Sequence, residues 1–192
     1  MYHTFETLVT LSMLMLARGT PQNNGGLSRP LRPTTTVINF DDAEIKEFHF
    51  HVYFFQTNSK SVDEARRFWN KIQRHVDNGY FKVRLFHFND YPIGPHLIGN
   101  YEVWCPIEYF GKAYSFMLLN RGSLSILIHP LTPLELTDHT DRAAWIGQEL
   151  PLDTEPLCPK LNMNPSQYHN MCLGYSSKNC TRPHGLSDAC VE

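Results

Sequence analysis

Between residues 47 and 129 the apolar positions change period in a regular order. Residues 47–55 (E-F-H-F-H-V-Y-F-F) repeat every two, placing Phe48, Phe50, Val52 and Phe54 on one face of a strand and His49, His51 and Tyr53 on the other. A helical spacing follows, with Val62, Ala65, Trp69, Ile72 and Val76 on one side, Ser61 and Glu64 spaced as a capping box, and Asn78-Gly79 as its end. Residues 81–88 return to alternation, with Phe81, Val83 and Leu85 set against Lys82 and Arg84. A Pro/Gly loop over 89–99 leads to a third strand at 101–105. Pro106 then opens a second helix whose stripe is Ile107, Phe110, Tyr114, Met117 and Leu118, closed by Gly122. The fourth strand, 123–129, has Leu124, Ile126 and Ile128 on one face and Ser125, Leu127 and His129 on the other. Thr132, Pro133 and Glu135 then predict a short capped helix.

This β-α-β-β-α-β order predicts an α+β, ferredoxin-like sandwich. Right-handed crossovers put the first strand between the third and fourth, antiparallel to both. Both helices then cover one face of the sheet. The other is left to be closed by the C-terminal segment 133–177, by a second subunit, or by both. That open face bears His49 and His51 at the start of the first strand and His129 at the end of the fourth, so three imidazoles converge at one end.

Burying imidazoles so close together is costly unless something binds them, and neutral imidazole is a common metal ligand. His49, His51 and His129 are the expected metal set. His96, in the turn P-I-G-P-H, and His139, in the short last helix, are the candidates for proton transfer, with His96 the alternative third ligand. For His96 to arrive, its loop must fold along the open face, which Pro and Gly permit but do not require. Taken by itself, His139 reads as a solvent-facing helix residue sooner than as part of a site. Glu102 could complete a two-histidine, one-carboxylate set, but alternation alone leaves open which way it points. His75 and His87 read as a helix-surface and a strand-end histidine; His3, His169 and His184 sit in irregular segments.

Composition narrows the classes. The 192 residues, 42% hydrophobic, suffice for one core, and a net charge of −2 without a basic run lacks the electrostatic footprint of a nucleic-acid binder. No apolar run in the body of the chain is long enough to span a membrane. Residues 8–17 have the length of a signal-peptide core, yet Glu6 precedes them and no Lys or Arg does, so the N-terminus leaves both a cytoplasmic and a secreted protein open. The expected organisation is a leader at 1–40, a domain at 41–177 and a cysteine-bearing tail at 178–192. Cys105 reads as a small core residue. Cys158, Cys172, Cys180 and Cys190 could form two disulfides in an oxidising compartment.

Several blocks resemble one family in order and spacing: E-I-K-E-F-H-F-H-V-Y-F-F (44–55), P-I-G-P-H (92–96), G-N-Y-E-V-W (99–104) and N-R-G-S-L-S-I-L-I-H-P-L-T (120–132). With D-H-T-D-R-A-A-W-I-G (138–147), L-P-L-D (150–153) and L-G-Y-S-S (173–177), the chain is similar to the fungal DOPA 4,5-dioxygenases over about residues 44–177. Leu97 stands where that pattern has proline. The resemblance implies extradiol cleavage of the catechol ring of L-DOPA by O2, giving a seco-DOPA that cyclises to betalamic acid, or muscaflavin after cleavage on the other side of the diol. It implies a metal with open positions, Fe(II) foremost among divalent ions, a catechol and O2 as small-molecule partners, and a cytoplasmic location. Tyr53 and Arg121 are candidates for holding the amino-acid end of the substrate. Two other readings stand beside it. One is a cofactor-free dimeric-barrel monooxygenase or cyclase, which needs no histidine cluster; the other is a secreted, non-catalytic binding protein.

Overall fold

The computed structural model describes residues 44–162 and 166–178. The proposed leader, His3, His184, Cys180 and Cys190 lie outside the described residues. The chain runs β1 (Glu47–Phe54), α1 (Ser59–Asp77), β2 (Arg84–Asn89), β3 (Gly99–Pro106), α2 (Ile107–Asn120), β4 (Ser125–Pro130), α3 (Glu135–His139) and β5 (Ala144–Ile146). The antiparallel sheet has the order β2-β3-β1-β4-β5, so β1 lies between β3 and β4 as the ferredoxin-like topology requires. The three-residue β5 extends that frame; it pairs Ile146 with Ile126 and is too short to show an alternation of its own. Among the described residues no helix is long and apolar enough to cross a membrane.

The core lies between the sheet and the two long helices. Phe50, Val52, Tyr101, Val103, Ile126 and Ile128 meet Ala65, Phe68, Ile72, Ala113, Phe116 and Met117. Each large apolar side chain fully withdrawn there contributes roughly 1.5–3 kcal/mol. In α2 the buried residues are Ala113, Phe116 and Met117, whereas Tyr114 and Leu118 of the expected stripe are exposed. The helix is apolar on nearly every side, so its spacing fits more than one face, and packing against the sheet selects among them. His75 is likewise not a surface residue: its ring packs edge-on to Phe116 at 4.9 Å, and its Nδ1 is buried without a hydrogen-bond partner. β2 starts later than its alternation predicts, at Arg84; Phe81 and Val83 reach the core from the preceding turn.

Two caps also differ from expectation. Asn58, not Ser61, caps α1: its Oδ1 accepts from the backbone amides of Lys60 and Ser61 at 3.1 and 3.3 Å. Ser61 Oγ instead accepts from Phe55 N, and Glu64 reaches across to Ser123. In α3 the N-cap is Leu134, and Thr132 serves as an anchor, donating its hydroxyl to Asp138 Oδ2.

The face opposite the helices is covered by the C-terminal segment. Its anchor is Glu47, fully buried at the start of β1, which accepts from Trp104 Nε1 (2.9 Å), Ser166 Oγ (2.6 Å) and Tyr175 N (3.0 Å). Tyr168 packs on Trp104, and the Tyr175 hydroxyl donates to Leu131 O. Gly174, at φ +60°, passes so close that a Cβ there would lie 2.5 Å from Glu47 Cγ.

Because Asn58 satisfies two amides that α1 cannot, Asn58→Ala should lower stability by about 1 kcal/mol. A urea titration would show this as a lower midpoint at unchanged slope, with metal content unaffected.

Candidate metal centre

Antiparallel pairing sets the site. β1 faces β4 with His49 opposite His129, and faces β3 with His51 opposite Glu102. All these side chains stand away from the helices. The His51 and His129 rings stack with 9° between their planes, their Nε2 atoms 3.0 Å apart. His96 joins them because its loop does fold along the open face. Residue 96 bridges to Ile93 and to Leu152, which brings its ring to 4.1 Å from that of His51. His139 arrives from α3 and lies 3.8 Å from the His129 ring, buried rather than solvent-facing. Asp138 pins that short helix, taking Thr132 N and Oγ1 on one oxygen and Arg142 Nη1 on the other.

Five imidazoles thus share one wall of a cavity of about 500 Å³, a volume suited to a small organic ligand. Two overlapping sets present converging ligand atoms: His49, His51 and His129, and His51, His96 and His139. Both contain His51.

The hydrogen bonds outside the cluster decide which nitrogens are bare. His129 Nδ1 lies 2.8 Å from Pro130 O and His139 Nδ1 lies 2.9 Å from Glu135 O. A carbonyl only accepts, so both Nδ1 atoms carry the proton and both Nε2 atoms keep a free lone pair, as metal ligation demands. His51 Nδ1 is buried with no partner, and its Nε2 faces the bare Nε2 of His129. Two lone pairs at that distance repel unless a proton or a cation lies between them. The donor set therefore fits a divalent ion that accepts imidazole, and among the described lining residues no thiolate is present to draw a softer one.

The family model described as the Dopa 4,5-dioxygenase family matches residues 48–156. The chain belongs to this family. It is 44% identical over 147 residues to a protein named DOPA 4,5-dioxygenase from Amanita muscaria, over 76% of this chain and 64% of that one. It is 39% identical over 115 residues to an uncharacterized 21.2 kDa protein from Botryotinia fuckeliana, over 55% of this chain and 60% of that one. The matched regions thus span less than two thirds of either relative's length. A crystal structure from Nostoc punctiforme of a "putative dioxygenase" shares the fold, with a TM-score of 0.51 and 37% identity over 58% of this chain and 90% of that one.

Within this member of the Dopa 4,5-dioxygenase family, the other candidates fall as follows. Tyr53 lies under His96, its hydroxyl 2.6 Å from Nδ1, and its ring stacks on Trp145. Arg121 is not part of the cavity wall. It is the C-cap residue of α2, and its Nη1 donates to the carbonyls of Gly122 and Leu124 in the turn that leads to β4. Glu102 does face the histidines, with Oε1 3.1 Å from His49 Nε2. Gln167 was not signalled by any motif: its Oε1 accepts from His49 Nε2 at 3.2 Å, from a segment without periodicity. His87 is exposed at the cavity's edge. Cys105 is a buried free thiol, as its strand position suggested. Cys158, in the cavity wall, and Cys172 are disulfide-bonded.

Burial keeps the cluster uncharged. Desolvation, aided by the neighbouring imidazoles, lowers His49 and His96 to about 3 and takes His51 and His129 well below their ordinary value; His139 is lowered too. Desolvation acts oppositely on Glu102, raising it to about 7. The linkage sign follows from the histidines, whose folded-state values lie under the unfolded 6.5. The unfolded chain takes up their protons first, so the stability they confer is full above that pH and is lost as pH falls from 6.5 towards 3. Glu102 works the other way with a single proton. Urea midpoints of the chelator-treated protein should therefore fall steadily from about pH 7 to about pH 4, and less steeply in His96→Gln. Equal slopes in the two proteins would contradict the burial of a neutral His96.

Proposed function

We propose that this chain is an extradiol dioxygenase that opens the catechol ring of L-DOPA with O2. The product, a seco-DOPA containing both oxygen atoms, cyclises to betalamic acid, or to muscaflavin if the other flanking bond is cut. The observation that carries the reading is the His51–His129 pair: two stacked buried imidazoles with Nε2 atoms 3.0 Å apart on a cavity with room for a small aromatic ligand. A cofactor-free barrel has no use for such a pair. Family membership and the name of the Amanita muscaria relative support the same reading.

His49, His51 and His129 would hold the ion, an imidazole set that accepts Fe(II), the redox-active ion this reaction calls for. When bound there, iron would supply the redox chemistry that lets O2 react with an aromatic ring. The remaining work belongs to the protein. His96 is neutral and therefore able to take a proton from a catechol hydroxyl. Its partner suits that role, since the Tyr53 hydroxyl, held neutral by burial, can donate to His96 Nδ1 or accept from it, and either tautomer of His96 is supported. His129 and His139, tied to carbonyls, have no such choice. Leu157 and Leu161 line the cavity beside the histidines and limit the water that reaches the ring.

One observation favours the second set, His51, His96 and His139, as ligands: the Glu135 carbonyl fixes a bare Nε2 on His139 just as Pro130 does on His129. Metal analysis separates the two. His51→Ala should lose bound iron in either case. If the strand set binds the ion, His49→Ala and His129→Ala lose it as well, while His96→Gln and His139→Gln keep it; the opposite pattern assigns the second set. Lys60→Ala, on the exposed start of α1, should change neither metal nor turnover.

The function itself is tested by supplying iron-loaded protein with L-DOPA in air. One O2 should be consumed per L-DOPA, with two labelled atoms in a yellow product when heavy-isotope oxygen is used. In His96→Gln, turnover should fall about 10²- to 10⁴-fold with iron retained. Bound iron without O2 uptake would reject the reaction.

A further inference from the structure

The histidine cavity contains a carboxylate oxygen that the ring-opening reading leaves unused. Glu102 stands beside His51 in register, and its Oε1 is buried with no hydrogen-bond partner. His49 Nε2 is only 3.1 Å away, but its hydrogen bond goes to Gln167 Oε1. The two other carboxylates in the wall are engaged. Asp138 takes Thr132 and Arg142, and Glu135 accepts the amide of Cys158. Among the described lining residues there is neither lysine nor arginine. Arg142, close by, has its Nη1 on Asp138 and Thr132.

A carboxylate oxygen withdrawn from water without a donor is costly, and the ligand that relieves the cost best brings a charged N–H. A carboxylate-bearing ligand would add to it, because it would approach Glu102 with no counter-cation in the lining.

We propose that Glu102 is a specificity-determining residue that receives the protonated amine of the substrate, so that the pocket reads the amine of a catechol and not its carboxylate. This rests on the catechol reading given above. The substrate class becomes catechols with an aminoethyl side chain, whether or not they also bear the amino-acid carboxylate. Catechols whose tail ends only in a carboxylate are disfavoured.

The test is equilibrium binding to the iron-loaded full chain without O2, followed by tryptophan fluorescence or calorimetry, with iron content measured in parallel. The probes are dopamine, L-DOPA and 3-(3,4-dihydroxyphenyl)propionate, which differ only in the tail. Dopamine should bind at least as tightly as L-DOPA, and both about ten- to a hundredfold tighter than the propionate, the range of one charge-assisted hydrogen bond. Glu102→Gln should bring both amines to the level of the propionate, whose own binding holds or tightens as the opposing charge is removed, while the bound iron stays unchanged.

Equal affinity of the wild-type chain for all three probes overturns amine recognition and leaves the ring-opening reading intact. A Glu102→Gln variant that sheds iron, or weakens all three probes alike, overturns it by making the residue a ligand or a structural support. Failure of all three probes to bind protein that retains iron removes the catechol reading, and this proposal with it. The wild-type comparison needs no variant, so a Glu102→Gln chain that fails to fold leaves it decisive.

Discussion

Five imidazoles can share one buried wall only if none of them is charged, and the rest of the molecule is arranged around that condition. The sheet supplies closeness: pairing of β1 with β4 sets His49 opposite His129, and an offset of one register step would turn each of them into the core. The C-terminal segment supplies dryness, because it closes over the face that the helices leave open. Backbone carbonyls supply direction by fixing which nitrogen of His129 and His139 faces inward. Each contribution depends on the others. An imidazole in water would titrate near neutrality, and one without a fixed tautomer would present a proton as often as a lone pair.

The strands and their order were legible in the sequence because two physical signals agreed there. Period-two alternation marked the faces, and the handedness of crossovers left one arrangement for four strands joined by two helices. The placement of His49, His51 and His129 followed from that arrangement without further information. His96 and His139 were harder. Their positions depend on a loop folded onto Leu152 and on a five-residue helix pinned by Asp138, contacts distant in sequence that no local pattern reports. Gln167 was invisible for the same reason. Glu102 was legible as a residue but not as a direction: alternation shows that it opposes Tyr101 and Val103, and only the packing of those two against the helices shows that it faces the histidines.

The misplaced helical details share a cause. Where a helix is apolar on most sides, as in α2, or where several hydroxyl and amide side chains cluster at its start, as in α1, several local solutions have nearly the same energy. Tertiary contacts then choose. Ser61 satisfies the strand-end amide of Phe55, which leaves Asn58 to serve the helix. His75 is drawn against Phe116 and Phe81, where its apolar edge is of more use than its nitrogen.

The anchoring of residues 166–175 on Glu47 sets the order in which the protein can be assembled. Two of that carboxylate's three partners lie 119 and 128 positions further along the chain, and Gln167 lies 118 positions beyond His49. Closing loops of that length is slow and comes after the nearer pairings of β1 with β3 and β4 are made. During synthesis β1 leaves the ribosome early, with its histidines and Glu47 still in water, and waits for nearly the whole domain to follow. The imidazoles can therefore titrate freely, and exchange ions with their surroundings, until the last part of the fold arrives to seal them in.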